Sequence, residues 1–315
     1  MKSQEFKVVV QKKFITHSGL CVPLGSKIPV EDLEFATGGG GTNPAATFAL
    51  QKFKVAYCGK VGDDNGGRAI IEELRVLGID ASLIIKDKKR KTNYSVVLSV
   101  PGKERTILVY RDASENLAPK EIPWKTIGAK WFYISPLSGK LVKIFKPLID
   151  FAKKNKIKVF LNPGNTQLEL SRSIWLPILK SIDVLMLNQE EAALLSGIPY
   201  EKEKEIFERL DDWTKGIVVM TKGPLGPVVS DGKFRYSAGC LKERKLVDRT
   251  GAGDAFGSGF LTGYIASPGD IPYAIQLGSA NATGCIEKFG AKNGILKKGE
   301  SIYKRGKLKI KKEKV

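Results

Sequence analysis

Histidine is almost missing from this chain of 315 residues: His17 stands alone and reads as a structural or exposed residue, not a catalytic one. Cysteine is sparse as well. Cys21, Cys58, Cys240 and Cys285 are scattered, with no C-x-x-C pair and no metal-ligand spacing. That pattern argues against a disulfide framework or a zinc cluster and fits thiols that pack in a reduced compartment. No run of about 20 apolar residues is present to span a bilayer, and the first residues lack the apolar core of a secretory signal. The expected location is cytoplasmic. Two phosphate-binding loops are missing too. There is no G-x-x-x-x-G-K-[ST], and no G-x-G-x-x-G opens a βαβ unit, so a dehydrogenase reading lacks its defining loop. No internal repeat and no low-complexity linker interrupts the chain.

What is present is ordinary in bulk. Hydrophobic residues make up 42% and charged residues 27%, as in a soluble globular protein. The length suffices for a full core, as one large α/β domain or one domain with an insert. The charge is less ordinary: 52 Lys+Arg against 33 Asp+Glu give +19. The segment 297–315 alone holds nine basic and two acidic residues. A basic chain can attract nucleic acid, or anionic small substrates such as nucleotides. The basic residues here are mostly dispersed lysines, without interleaved aromatics or a nucleic-acid motif. A solvated lysine-rich surface is the reading, and nucleic acid is not an expected partner.

In chain order the first segments are β-like: Phe6–Val10, Phe14–Ile15, Leu20–Val22, Ile28–Val30 and Leu33–Ala36. Gly38-Gly-Gly-Gly-Thr-Asn-Pro44 then leads into a helix, Ala45–Phe53, with Pro44 suited to its first position. A strand at 55–61, a turn at 62–66 and a helix at 68–77 follow. Strands at 82–85, 94–100 and 106–110 come next. From Trp131 the chain alternates: strands at 131–135, 157–162, 184–188 and 217–221, helices at 141–154, 174–181, 190–195 and 204–213. A meander at 228–230, 234–236 and 245–247 leads to a small-residue helix, 255–266, and an Ala/Gly-rich helix, 273–287. Repeated βα units with short apolar strands predict a mainly parallel sheet covered on both faces. The β-only pieces predict a small protruding lid.

The chain is organised around Thr250-Gly-Ala-Gly-Asp254. Its glycines can adopt backbone angles closed to other residues. Free N–H groups at a helix N-terminus form an anion pocket. A carboxylate there makes sense if a phosphoryl group is held while Asp254 takes a proton from an attacking hydroxyl. The turn alone is equally consistent with a structural strand-to-helix connection capped by Asp254.

Two motifs break that tie. GGGGTNPAATFALQKFKVAYCGKVGDDNGG (Gly38–Gly67) resembles the glycine-glycine signature of the PfkB/ribokinase family of carbohydrate and nucleoside kinases. VDRTGAGDAFGSGFLTGY (Val247–Tyr264) resembles the family's D-T-x-G-A-G-D signature. The likeness in element order runs from about Phe14 to Gly290. It implies a ribokinase-like three-layer α/β/α sandwich with a mainly parallel central sheet and a β-sheet lid. The core would comprise 38–81 and 112–315, and the lid 1–37 and 82–111.

The resemblance also implies roles. Asp254 would be the base, and the N–H groups of Gly251, Ala252 and Gly253 the anion hole. Gly39, Gly40 and Asn43 would face substrate hydroxyls, and so would Arg105, which reads equally well as a solvated strand charge. Gly40 stands where ribokinase itself has Lys, so ribose does not follow. Asn188 and Glu191 resemble N-x-x-E and would hold waters of Mg²⁺; without the family they read as an N-cap with a first-turn acid. Thr221, Gly223 and Gly226 resemble the nucleotide-side turn, and Asn281 lies where adenine-side residues fall. Asp248 and Thr250 match a monovalent-cation border, for example for K⁺. Asn162-Pro-Gly-Asn165 departs from D-P-N, which weakens a charge-based role there.

The implied activity is transfer of the γ-phosphoryl group of ATP·Mg²⁺ to a sugar hydroxyl. A nucleoside kinase, or a catalytically impaired binding relative, are the alternatives. A homodimer through the lid is also implied. One element is missing: relatives open on a buried strand ending in an acid, whereas here Met1–Phe6 leads straight into lid-like sequence. The expectation is an absent first core strand, through a late start or true loss, with weakened stability and substrate binding.

Overall fold

The computed structural model describes residues 1, 3, 6–10, 18–98 and 106–315. His17, Arg105 and the strand expected at Phe14–Ile15 lie outside them. The chain opens with β1 (Lys7–Val10) and β2 (Ser18–Cys21), an antiparallel pair. Then come α1 (Thr42–Leu50), β3 (Gly59–Gly62), α2 (Asn65–Val76) and β4 (Ile84–Asp87). β5 (Tyr94–Leu98) and β6 (Thr106–Tyr110) form a second antiparallel pair. β4, grouped with the lid by sequence, instead pairs in parallel with β3, because α2 returns the chain as a crossover.

The remainder is βα-alternating. β7 (Trp131–Ile134), α3 (Phe145–Lys154), β8 (Lys158–Leu161), α4 (Asn165–Leu168) and α5 (Arg172–Leu179) lead to β9 (Val184–Asn188). α6 (Gln189–Ser196), α7 (Glu203–Trp213), β10 (Ile217–Thr221), β11 (Pro227–Ser230) and β12 (Phe234–Ala238) follow. α8 (Ala252–Ala266), α9 (Ile271–Ile286) and β13 (Ile310–Lys314) end the chain.

The large sheet has the order β13-β12-β11-β10-β9-β8-β7. Its β7–β10 half is parallel and its β10–β13 half antiparallel. Alternation along β9 explains the layers. Leu185 and Leu187 join the core under α3, α5, α6 and α7, while Val184 and Met186 face α8 and α9. Both sets are buried, so the strand reads as a continuous apolar run. α8 and α9 pack closely because both carry small residues: a Cβ added at Gly259 would stand 2.9 Å from Gly278 Cα.

Three local expectations are corrected. The segment at 245–247 forms no regular strand; Val247 N–H instead donates to Ile286 O at 2.9 Å. The strand expected at 55–61 is shorter, with only an isolated bridge between Ala56 and Asp80 before β3. β13, read as part of a basic tail, pairs with β12 as a sheet edge, where its charges protect an open edge.

Among the described residues the β3–β4 pair is not joined to the large sheet. Among the described residues β7 has one hydrogen-bonded strand neighbour, β8, and β3 has one, β4.

Candidate active site

The site is built where α1 and α8 start. Gly39 has φ +119°, and its carbonyl accepts from Asn43 N–H at 3.1 Å, which turns the glycine run into α1. Gly251, at the start of α8, has φ +78°, and a Cβ there would lie 2.3 Å from that of Ala291. No other residue fits. α8 therefore begins with its first N–H groups lacking intrahelical partners, at the positive end of its dipole. Of the expected anion hole, Ala252 N–H turns back to Arg249 O at 3.3 Å.

Asp254 sits in the first turn of α8. Its Oδ2 accepts from Asn43 Nδ2 at 2.8 Å, so the two sequence signatures meet at one hydrogen bond. Burial pushes the Asp254 pKa up, and the Asn43 contact opposes this only in part. The Tyr133 hydroxyl is buried without a partner, and its pKa is pushed well up, first by burial and then by the Asp254 charge. Asn43 Oδ1 is likewise buried and unpartnered. The sequence carries no signal for these orphan atoms; Tyr133 lies within the strand expected at 131–135.

Along the sheet edge, Thr221 and Asn188 are register partners at the ends of β10 and β9. Ligands of open α/β sheets bind at such carboxyl edges. Asn188 Oδ1 accepts from Glu191 N–H, and Glu191 Oε2 accepts from Asn188 N–H, both at 2.8 Å. The pair is thus a reciprocal capping box. Burial raises the Glu191 pKa, the Asn188 N–H opposes it, and Glu190 adds to the rise. The oxygen donors suit a hard cation held through waters. Among the described residues no group of three or more His, Cys, Asp or Glu side chains is placed to hold a metal directly.

Gly223 and Gly226 follow β10 with φ +53° and +85°, closing a tight turn beside Thr221. Asp248 Oδ1 accepts from Thr250 N–H at 2.8 Å and its Oδ2 from Gly290 N–H at 3.3 Å, which ties the turn before α8 to the loop after α9. Asn281 is the residue expected on the adenine side. It is 0% exposed, donates to Ala255 O and Thr47 Oγ1, and accepts from Leu296 N–H. Its amide joins α9, α8 and α1 inside the protein.

Residues 10–298 match the pfkB family of carbohydrate kinases. A ribokinase of Staphylococcus aureus (strain COL) is 27% identical over 293 residues, covering 90% of this chain and 92% of that protein. A cytidine kinase of Thermococcus kodakarensis is 29% identical, over 80% of this chain and 88% of that one. A solved structure from E. coli in complex with ATP and Mg²⁺ has a TM-score of 0.72 at 18% identity, covering 88% and 91%. The chain is a kinase that belongs to the pfkB carbohydrate kinase family.

Proposed function

We propose that the chain transfers the γ-phosphoryl group of ATP·Mg²⁺ to a hydroxyl of a sugar, with Asp254 as general base. One observation carries this reading: the 2.8 Å contact that sets Asn43 against Asp254 at the start of α8. It puts a carboxylate, an amide able to orient a hydroxyl, and a helix N-terminus at one point. Burial makes Asp254 a stronger base than a solvated carboxylate. The N-terminus of α8, through Gly251 and Gly253, supplies the charge stabilisation that phosphoryl transfer needs. Gly39 and Gly40 border the acceptor. Thr221, Gly223 and Gly226 border the nucleotide, and Asn188 and Glu191 hold waters of Mg²⁺. The Asp248–Thr250 turn is the place for a monovalent cation such as K⁺.

A nucleoside acceptor is the second reading, favoured by the likeness to a cytidine kinase. An ADP-release assay over a panel of sugars and nucleosides separates the two, and absence of any acceptor-dependent ADP marks an impaired relative. In the proposed domain plan the β1–β2 and β5–β6 hairpins cover the acceptor. Strand β6 leaves Ile107, Leu108, Val109 and Tyr110 between 43% and 56% exposed, and of these Leu108, which does not line the cavity, supports pairing of lids in a homodimer. Light scattering at high concentration tests this, and a monomer refutes it.

A further inference from the structure

One lysine stands apart from the solvated surface. Lys292 lies in the loop after α9, and its side chain is 8% exposed. Its ammonium donates to the Thr37 carbonyl at 3.0 Å, to the Thr37 hydroxyl and to Glu73 Oε2. The Thr37 hydroxyl in turn donates to the same Glu73 oxygen. Glu73 belongs to α2, so one ammonium joins three segments that are remote in the chain. Burial pulls the Lys292 pKa down, and the Glu73 carboxylate opposes this. A buried ammonium costs stability unless it is paired and hydrogen-bonded, and a charge-assisted network of this kind fixes geometry. What it fixes is the spacing between the two halves of the site. Thr37 directly precedes the Gly38–Gly41 run. A Cβ on Gly290 would stand 3.6 Å from that of Ala36. On its other side Gly290 N–H donates to Asp248 Oδ2 at 3.3 Å, and Ala291 lies close against Gly251. The stretch Gly290–Lys292 thus touches both the arm into α1 and the turn into α8.

We propose that Lys292, held by Glu73, is a positioning residue that keeps the glycine run before α1 in register with the turn before α8. The proposal rests on the phosphotransferase reading of the site. Lys292 stands outside the cavity that Gly39, Gly40 and Asn43 line, so it acts through them and not on a ligand. Its effect falls on the acceptor side. Thr37 leads straight into Gly39, Gly40 and Asn43, whereas the nucleotide turn with Thr221 and Gly223 is built on β10. A reacting group displaced by even about 1 Å loses much of the rate that positioning supplies. Removing the ammonium frees the arm at Thr37, and Asn43 then meets Asp254 in a broader range of positions. Removing the Glu73 charge weakens the same tie from its other end.

The test compares the full chain with Lys292→Met, Glu73→Gln and the double variant. ADP release gives KM for the acceptor and for ATP separately, and amide exchange is followed at Gly39–Asn43. For Lys292→Met the acceptor KM should rise about tenfold while that for ATP stays within about twofold. The amides of Gly39–Asn43 should exchange faster. Glu73→Gln, the milder change, should shift both readouts in the same direction. The double variant should be no worse than Lys292→Met, because both changes break one tie. An unchanged acceptor KM, equal rises for acceptor and ATP, or multiplied effects in the double variant overturn the proposal. So does a lowered Tm with unchanged exchange at Gly39–Asn43, which marks a merely structural pair. If the unaltered chain releases no ADP with any acceptor, the phosphotransferase reading falls. Faster exchange at Gly39–Asn43 in Lys292→Met then still supports the tie, and unchanged exchange overturns it.

Discussion

Asn43 and Asp254 stand 211 positions apart in the chain, yet the Asn43 amide donates to the Asp254 carboxylate at 2.8 Å. That contact aims the proposed base and partly offsets the rise in its pKa that burial causes. Asn43→Ala removes a hydrogen bond to a charged group, a term of about 1.5–3 kcal/mol. We expect kcat/KM to fall about tenfold to a hundredfold, and the acidic limb of the pH–rate profile to move up. An unmoved limb would show that Asn43 does not touch the base.

The pH dependence has a definite sign. Burial raises the Asp254 pKa, so activity should decline as pH falls through a value above the ordinary carboxylate range. For stability, a raised folded pKa favours the protonated form. Its contribution is fully present below the unfolded pKa and is lost as pH rises through the folded one. At neutral pH the ionised, buried Asp254 therefore costs stability, and Asp254→Asn should raise Tm there and not at acidic pH. Thermal scans of both chains at several pH values check this.

Gly251→Ala is expected to damage fold and site together. The left-handed backbone at φ +78° and the 2.3 Å approach to Ala291 together predict a loss of about 2–5 kcal/mol. Urea titration measures it. A neutral effect would mean that the start of α8 is free to reshape.

Asn188→Ala separates cap from metal. Loss of the capping box alone costs about 1 kcal/mol. If Asn188 also orders waters of Mg²⁺, the Mg²⁺ concentration for half-maximal rate should rise severalfold. An unchanged Mg²⁺ requirement with lowered stability would leave Asn188 as a cap only.

The α/β architecture was legible because periodicity is local: β8, β9 and β10 are short apolar runs, and α2 and α7 are plainly amphipathic. The Gly251 turn was legible because its φ leaves few residue choices. β13 was hidden because its residues, Ile-Lys-Lys-Glu-Lys, carry no apolar alternation, and only the β12 edge makes them a strand. The strand expected at 245–247 failed for the opposite reason: despite the apolar residues there, the Val247 N–H donates to Ile286 O at the end of α9 and not to a ladder. The burial of Asn281 was not legible, because position along a helix does not reveal it. The orphan Asn43 Oδ1 and Tyr133 hydroxyl arise only when distant segments meet, so no sequence signal marks them.

The most direct measurement is the single-turnover rate of Asp254→Asn against the unaltered chain, with the acceptor that supports ADP release and with ATP binding measured alongside. The account predicts unchanged ATP affinity and a rate lower by about 10²–10⁴-fold. A variant that turns over within a fewfold of the unaltered chain would contradict it, because Asp254 would then not be the base.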